Sequence, residues 1–213
     1  CRLPAYGELM LSPYGRGQAV IDPKSADRVS ADKPKLTPKD TVMLSACDDA
    51  WSPEARIHGV GRKSLKALVD ETTANIRILT KSAEVVKDLD VAKDDRERVI
   101  IGLSLGIPAS REDVAAAVEP NASTIKDRLQ ALKQAHDQGF KTYAMLCPCL
   151  PQVADAAEAL EEMFKAVLDC GIGEIWLEPV NARGPGLQNT ALALRIAGLK
   201  AEADAVDAVR KQE

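Results

Sequence analysis

Residues 99–147 have the sequence VIIGLSLGIPASREDVAAAVEPNASTIKDRLQALKQAHDQGFKTYAMLC, and its alternating segments decide the fold class. The nearly continuous apolar run at residues 99–105 predicts a strand that is buried on both faces. A helical pattern follows at residues 124–138, with Gly139 placed as its stop signal, and a second apolar run covers residues 141–146. A strand, a helix and a strand in this order predict a βαβ crossover and a parallel sheet.

The same rhythm extends over the chain from residue 41 to its end. Further apolar runs occupy residues 41–45, 76–80 and 174–178, and amphipathic stretches occupy residues 59–72, 84–91, 153–168 and 190–210. The sequence therefore predicts an α/β fold, either a partial parallel (βα) barrel or a doubly wound sheet, because periodicity alone does not separate them. Residues 1–40 contain five prolines and no clear strand, so we interpret them as a loop-rich segment before a barrel at residues 41–213.

Composition limits the class of protein. The 213 residues include 28 Lys and Arg against 32 Asp and Glu, a net charge of −4, and aromatic residues make up only 3%. These values predict an aliphatic core and exclude a general nucleic-acid coat, which needs a basic surface. No apolar run approaches the roughly 20 residues of a membrane span, and no signal peptide is visible, so we expect a cytoplasmic protein without a membrane partner.

Polar and thiol-bearing side chains follow each of the predicted strands. In both candidate architectures, ligands bind at the carboxyl ends of the strands. The segments at these ends are residues 45–51, 80–82, 104–108, 147–151 and 178–183. The sequence therefore predicts a convergent ligand site at this edge of the sheet.

The first strand end combines a hydroxyl group, a thiol and two carboxylates, at Ser45, Cys47, Asp48 and Asp49. The acids suit a ligand's ammonium or ribose hydroxyl groups, and the thiol suits hydrogen-atom donation or nucleophilic attack. An ordinary helix N-cap explains the same residues, because Ser and Asp are common before helices. Both interpretations stay open at this point.

The next two strand ends offer a cation and a hydroxyl group. Lys81 can pair with a carboxylate or a phosphate as a point charge, or it can be a solvated lysine beside an N-capping Ser82. Ser104 lies inside an apolar run, so its hydroxyl group needs a partner. A ligand and a backbone carbonyl group would serve equally well.

The remaining cysteines and histidines favour structural interpretations. Cys147 and Cys149 are one residue apart, and zinc would need two further ligands, for which only His58 and His136 exist. We expect buried cysteines that behave as small hydrophobic residues, and solvated histidines. At the last strand end, Glu178, Asn181 and Arg183 form either a ligand-facing group or a structural pair of Glu178 with Arg183.

From Val42 onward the chain resembles the radical S-adenosylmethionine enzymes of the spore-photolyase-like group. No single string is diagnostic, and the resemblance depends on the order and spacing of several. They are residues 45–53, Leu79-Thr80-Lys81-Ser82 with Lys87-Asp88-Leu89, Leu103-Ser104-Leu105, Glu119-Pro120, the helix with Arg128-Leu129 and Ala131-Leu132, residues 139–151, and Glu178-Pro179 with Asn181 and Arg183-Gly184.

The resemblance implies a TIM-like partial barrel with two cofactors, a [4Fe–4S] cluster and S-adenosylmethionine. The implied reaction is reductive cleavage of S-adenosylmethionine to methionine and a 5′-deoxyadenosyl radical, which takes a hydrogen atom from a substrate. The implied partners are an external electron donor and an unknown substrate, either nucleic acid or a small molecule. Net acidity weighs against duplex DNA.

The group binds its cluster with a CxxxCxxC loop, and Cys1 suits the third cysteine of that loop. We therefore expect that the first barrel strand and two cysteines precede this chain in a longer protein. One thiolate does not hold a cubane cluster. On this reading the full-length protein is the enzyme, and the chain as given is inactive.

The resemblance also implies roles by position. Ser45, Asp48 and Asp49 would lie beside the methionine portion of S-adenosylmethionine, and Lys81 and Ser104 would bind its carboxylate and neighbouring polar atoms. These assignments make all five residues candidate cofactor contacts.

Three further residues receive implied roles. Glu178 and Asn181 would contact the ribose or the substrate. Spore photolyases use a cysteine at the strand end where Cys47 lies to return a hydrogen atom to the repaired substrate. Cys47 is therefore the candidate catalytic residue, and spore-photolyase-like repair is one implied activity.

Two other functions fit the same sequence. A Schiff-base aldolase, or another barrel lyase, would use Lys81 as its nucleophile. A non-catalytic relative would keep the barrel as a ligand-binding or assembly module.

Overall fold

The computed structural model describes residues 24, 26–45, 48–180 and 186–210. Its centre is a five-stranded sheet in which all neighbouring strands are parallel and follow one another in chain order. The strands are Thr41–Leu44 (β1), Asn75–Thr80 (β2), Val99–Ser104 (β3), Lys141–Cys149 (β4) and Ile175–Pro179 (β5).

Helices separate the strands, as the amphipathic stretches predicted. The α-helices are Asp27–Asp32 (α1), Pro53–Ile57 (α2), Val60–Glu71 (α3), Glu112–Val118 (α4), Ile125–Asp137 (α5), Ala157–Asp169 (α6), Gly186–Ile196 (α7) and Lys200–Arg210 (α8). Short 3-10 helices cover Lys33–Lys35, Ala83–Ala92, Arg96–Arg98 and Ala109–Arg111.

The strand order distinguishes between the two predicted architectures. A doubly wound sheet reverses its strand order at a switch point, and the five described strands show no reversal. Strands β1 and β5 do not pair with each other, so the sheet is open. The prediction of an α/β fold with a partial parallel barrel is therefore confirmed.

One face of the sheet packs on the helices. Ile76 and Ile78 in β2 and Ile101 in β3 are fully buried on this side, and Leu132 and Ala135 of α5 belong to the same core. Along β2, buried and half-buried residues alternate strictly, which is the two-residue period of a strand. This packing fixes the register and therefore the height at which each strand ends.

The opposite face of the sheet has a stack of side chains. The Arg77 guanidinium lies 4.0 Å from the centre of the Tyr143 ring and 5.2 Å from that of Trp176, and the Trp176 residue is 50% exposed. The Tyr143 ring lies above Gly102, its in-register neighbour, and its hydroxyl group donates to the Ile78 carbonyl oxygen. A glycine at this position is what lets the ring lie flat on β3.

Element bounds differ from the predictions in a few places. Thr124 caps α5 by accepting from the Asp127 amide. The helix predicted from residue 153 begins at Ala157. The helical pattern at residues 190–210 forms two helices, α7 and α8, with Gly198 between them in the left-handed region. The proposed domain boundary after residue 40 stays a prediction, since most of residues 1–40 lie outside the described residues.

No helix within the described ranges is long and apolar enough to cross a membrane.

Replacing Gly102 with alanine is expected to destabilise the fold. The added Cβ atom would lie 2.1 Å from the Tyr143 ring, which is buried and anchored by its hydroxyl group. Overpacking of this kind lowers the free energy of unfolding by about 1–3 kcal/mol, measurable by urea denaturation. Gly173→Ala is the matched control, because nothing lies within 4 Å of a Cβ atom there. Equal stability of the two variants would contradict the close contact.

Candidate functional site

The described candidate residues lie at one edge of the sheet. Ser45 follows β1, Lys81 follows β2, Ser104 ends β3, and Cys147 and Glu178 lie near the ends of β4 and β5. Since neighbouring strands are parallel and adjacent, these residues meet at the carboxyl edge, as predicted. Cys1, Cys47 and Asn181 lie outside the described residues, so their assigned roles stay predictions.

Asp49 connects the first two strand ends. Its carboxylate accepts hydrogen bonds from the Thr80 hydroxyl group (2.7 and 2.8 Å), the Lys81 amide (2.9 Å) and the Trp51 amide (2.9 Å). Both oxygens therefore already have partners from the protein. Asp48, the other acid of the pair, is exposed. The two neighbouring carboxylates thus have different surroundings, with Asp49 holding the edge together and Asp48 facing solvent.

Ser45 begins the tight turn after β1. Its backbone has a φ of 67°, in the left-handed region that disfavours side chains, and its Oγ accepts from the Ala50 amide at 3.0 Å. A non-glycine residue keeps such a conformation only where the surroundings enforce it. Here the hydrogen bond closes the loop that places Asp49 against Lys81.

A row of three charges lies behind the second and third strand ends. The Lys81 ammonium is 2.6 Å from Glu119 Oε1, and the other oxygen of Glu119 accepts from Arg128 Nη2 at 2.7 Å. The Lys81 side chain is 36% exposed and that of Arg128 only 1%. The row therefore runs from the solvent-facing edge into the core.

Arg128 holds the surrounding backbone in place. From α5 it donates through Nη1 to the Ser104 carbonyl oxygen (3.0 Å) and through Nε to that of Ser123 (2.8 Å). Ser123 in turn accepts at its Oγ from the Ala83 amide, and its own amide donates to the Lys81 carbonyl oxygen. One buried guanidinium thus connects the ends of β2 and β3.

Glu119 is ionised in this arrangement. Burial raises the pKa of its carboxyl group, but the charges of Lys81 and Arg128 and their hydrogen bonds outweigh burial and hold the pKa below its ordinary value. Sequence reasoning placed Glu119 and Arg128 only within the resemblance and gave neither a role. The sequence shows an arginine nine residues after an acid. It does not show that this arginine is buried, because burial depends on the tertiary structure.

Ser104 is mostly buried at the end of β3, with 7% of the residue exposed. Among the described residues, the buried side-chain atom that lacks a hydrogen-bond partner is Arg96 Nε, not the Ser104 hydroxyl oxygen. The ligand and the backbone carbonyl group, the two partners considered for this hydroxyl group from the sequence, therefore both stay predictions.

Cys147 and Glu178 form the other half of the edge. The Cys147 thiol donates to Glu178 Oε2 at 3.6 Å. Burial, together with the charge and hydrogen bond of Glu178, raises the pKa of this thiol to about 11, whereas the charge of Lys81 lowers it. The group is therefore a neutral thiol at ordinary pH. Cys149 is buried as expected, whereas Cys147 is only half-buried.

The described residues fit the two implied cofactors unequally. A zwitterionic amino acid needs a cation and hydroxyl donors for its carboxylate, and Lys81 and Ser104 supply both. Within the described ranges, no group of three His, Cys, Asp or Glu side chains could hold a metal ion. Cys1, the cluster ligand expected from the sequence, lies outside these ranges, so the cluster stays a prediction.

The chain is similar to proteins whose names state no function. It is 28% identical over 188 residues to an uncharacterized protein of Acidianus two-tailed virus, covering 85% of this chain and 60% of that protein. It is 28% identical over 124 residues to an uncharacterized protein of Methanocaldococcus jannaschii, covering 58% of this chain and 46% of that protein. The chain thus spans about half of its relatives' length, and no family model matches it.

Solved structures of spore photoproduct lyase share the fold. The lyase complexed with dinucleoside spore photoproduct has a TM-score of 0.64 and 15% identity, over 92% of this chain and 56% of the lyase. A variant of that lyase with bound AdoMet and dinucleoside spore photoproduct has the same TM-score and coverage at 14% identity. At this level of identity the likeness shows the fold alone, and it agrees with the open parallel sheet.

Replacing Glu119 with glutamine is expected to lower stability in a pH-dependent way. The lowered pKa means that the ionised carboxyl group stabilises the folded chain fully above its ordinary pKa of 4.5. That stabilisation is lost as the pH falls through the lower pKa of the folded state. Urea unfolding at several pH values should therefore show the wild type and the variant converging in acid.

The matched control for this prediction is Glu97→Gln, because the Glu97 side chain is 97% exposed. Its unfolding should follow the wild type at every pH. A constant difference between wild type and Glu119→Gln from neutral pH into acid would contradict the assignment of an ionised, ion-paired Glu119.

Proposed function

We propose that this chain is the S-adenosylmethionine-binding part of a radical S-adenosylmethionine enzyme related in fold to spore photoproduct lyase. The reaction proposed for the complete protein is reductive cleavage of the cofactor to methionine and a 5′-deoxyadenosyl radical. A [4Fe–4S] cluster would supply the electron, received from an external donor, with Cys1 as the thiolate that this chain contributes. The chemistry of the cluster belongs to the cofactor, and the barrel supplies binding and orientation.

The observation that supports the proposal most directly is the position of Lys81 and Ser104 at the ends of two neighbouring strands, β2 and β3. Lys81 has three N–H donors, and Glu119 is the side chain it pairs with among the described residues. Its remaining donors and the Ser104 hydroxyl group suit a ligand carboxylate. A binding site of this kind needs few polar groups, each well placed, in a largely apolar wall.

Other residues complete the proposed site. Asp48 is exposed at the end of β1 and suits the ammonium group of the same amino acid. Glu178 is exposed at the end of β5 and suits a ribose hydroxyl group or the substrate. Cys47 and Asn181 keep the roles proposed from the sequence, hydrogen-atom donation and ribose or substrate contact. The substrate is proposed to be a nucleic acid or a small molecule.

The charge on Lys81 weighs against Schiff-base chemistry. A nucleophilic lysine must first lose its proton. The Lys81 side chain is instead held in an ion pair with the Glu119 carboxylate at 2.6 Å. The non-catalytic alternative would keep ligand binding and lack cofactor cleavage, so the same experiment separates it from the enzyme.

The complete protein that contains this chain, reconstituted anaerobically with iron and sulfide, is expected to convert S-adenosylmethionine to methionine and 5′-deoxyadenosine under dithionite. Chromatography of the products gives the measurement. Lys81→Met should weaken cofactor binding by about tenfold, because a charge-assisted hydrogen bond to the carboxylate is lost.

Lys87→Met is the matched control, since the Lys87 side chain is 70% exposed on the 3-10 helix Ala83–Ala92. It should bind the cofactor as the wild type does. A protein that contains the cluster and leaves the cofactor intact contradicts the proposed enzyme. Borohydride trapping of a carbonyl substrate on Lys81 would favour the aldolase in its place.

A further inference from the structure

The row of three charges formed by Lys81, Glu119 and Arg128 carries more positive than negative charge. Two cations, Lys81 and Arg128, share one carboxylate, Glu119, which leaves one net positive charge. Arg128 is 1% exposed and the Glu119 side chain 12% exposed, whereas the Lys81 side chain is 36% exposed. The part of the row that a ligand can reach is therefore the ammonium group of Lys81.

No carboxylate other than Glu119 forms an ion pair with this ammonium group in the described part of the chain. The carboxylate of Asp49 lies at the Lys81 backbone, but its two oxygens accept from Thr80, the Lys81 amide and the Trp51 amide. Among the described side chains, Glu119 is the carboxylate that pairs with Lys81. Arg128 contacts Glu119 from the buried side and partly balances its negative charge. The more of that negative charge Arg128 balances, the more of the positive charge of Lys81 is available to a ligand.

A lone carboxylate at 2.6 Å would pair fully with the ammonium group and compete with an incoming anion. Arg128 changes this competition, because it contacts the second oxygen of Glu119 at 2.7 Å and is fixed there by two backbone carbonyl groups. One of those carbonyl groups belongs to Ser104, so the same guanidinium also fixes the end of β3.

We propose that Arg128 is a positioning residue whose buried charge neutralises Glu119 and thereby keeps the Lys81 ammonium available to the carboxylate of an adenosyl amino acid. This inference rests on the proposed function and extends it, because it assigns ligand discrimination to a residue that does not touch the ligand. On this proposal, a higher net positive charge on the row of Lys81, Glu119 and Arg128 gives a higher affinity for the ligand's carboxylate.

Two ligands isolate this effect by isothermal titration calorimetry on the complete protein that contains this chain. S-adenosylhomocysteine has the amino-acid carboxylate, and 5′-methylthioadenosine has the same nucleoside without it. The ratio of their affinities measures the carboxylate contact, and damage to the fold or to nucleoside binding cancels from it. The wild type should prefer S-adenosylhomocysteine, and Lys81→Met should lose that preference.

Arg128→Met brings the net charge of the row to zero, and the preference should fall by about tenfold. Glu119→Gln brings the net charge to two positive charges, and the preference should rise above that of the wild type. The double variant Arg128→Met with Glu119→Gln restores one positive charge and should return the preference to the wild-type range. It also leaves no uncompensated buried charge, so it remains informative if Arg128→Met alone does not fold.

The possible results separate the two proposals. A wild-type chain that binds neither ligand overturns the proposed adenosyl site and the inference with it. A wild-type chain that prefers S-adenosylhomocysteine, combined with a loss of preference in Glu119→Gln or in the double variant, overturns the inference alone. An equal loss of both ligands in Arg128→Met would mean that Arg128 acts only through the fold.

Discussion

The carboxyl ends of parallel strands leave backbone groups that the sheet no longer pairs, and the loops beyond them must satisfy these groups. In this chain two charged side chains do much of that work at the first three strand ends. Arg128 donates to the carbonyl oxygen of Ser104, and Asp49 accepts from the amide of Lys81. A buried polar group without a partner costs about 1–3 kcal/mol, so these contacts stabilise the edge.

This requirement has a consequence for the candidate site. Ligand-binding residues and residues that complete strand ends are of the same chemical types, and they lie in the same places. The pair Asp48 and Asp49 illustrates the division, since Asp49 is occupied by protein hydrogen bonds whereas Asp48 is exposed. The helix after this strand end is capped by Ser52, which accepts from the Ala55 amide at the start of α2. Ser45 and the two acids are not its caps.

The sequence predicted the parallel fold well because burial on both faces leaves a strong apolar signal in each strand. It also predicted which segments meet, because that follows from strand polarity alone. It did not predict the role of Arg128, whose three acceptors come from β3, from the loop before α5 and from Glu119. Helical periodicity places an arginine on a face of the helix, but only the packed structure shows that this face is fully buried.

The thiol of Cys147 and the side chain of Lys81 each have a carboxylate partner, with different results. Burial and Glu178 raise the pKa of the thiol to about 11 and keep it neutral, whereas Glu119 forms an ion pair with Lys81 two strands away. Each side chain has its own carboxylate partner, and Arg128 neutralises only the one beside Lys81. Among the described residues, the charge row therefore places its positive charge at the ends of β2 and β3. A ligand with a carboxylate at one end and a neutral group at the other has one favourable orientation across the strands.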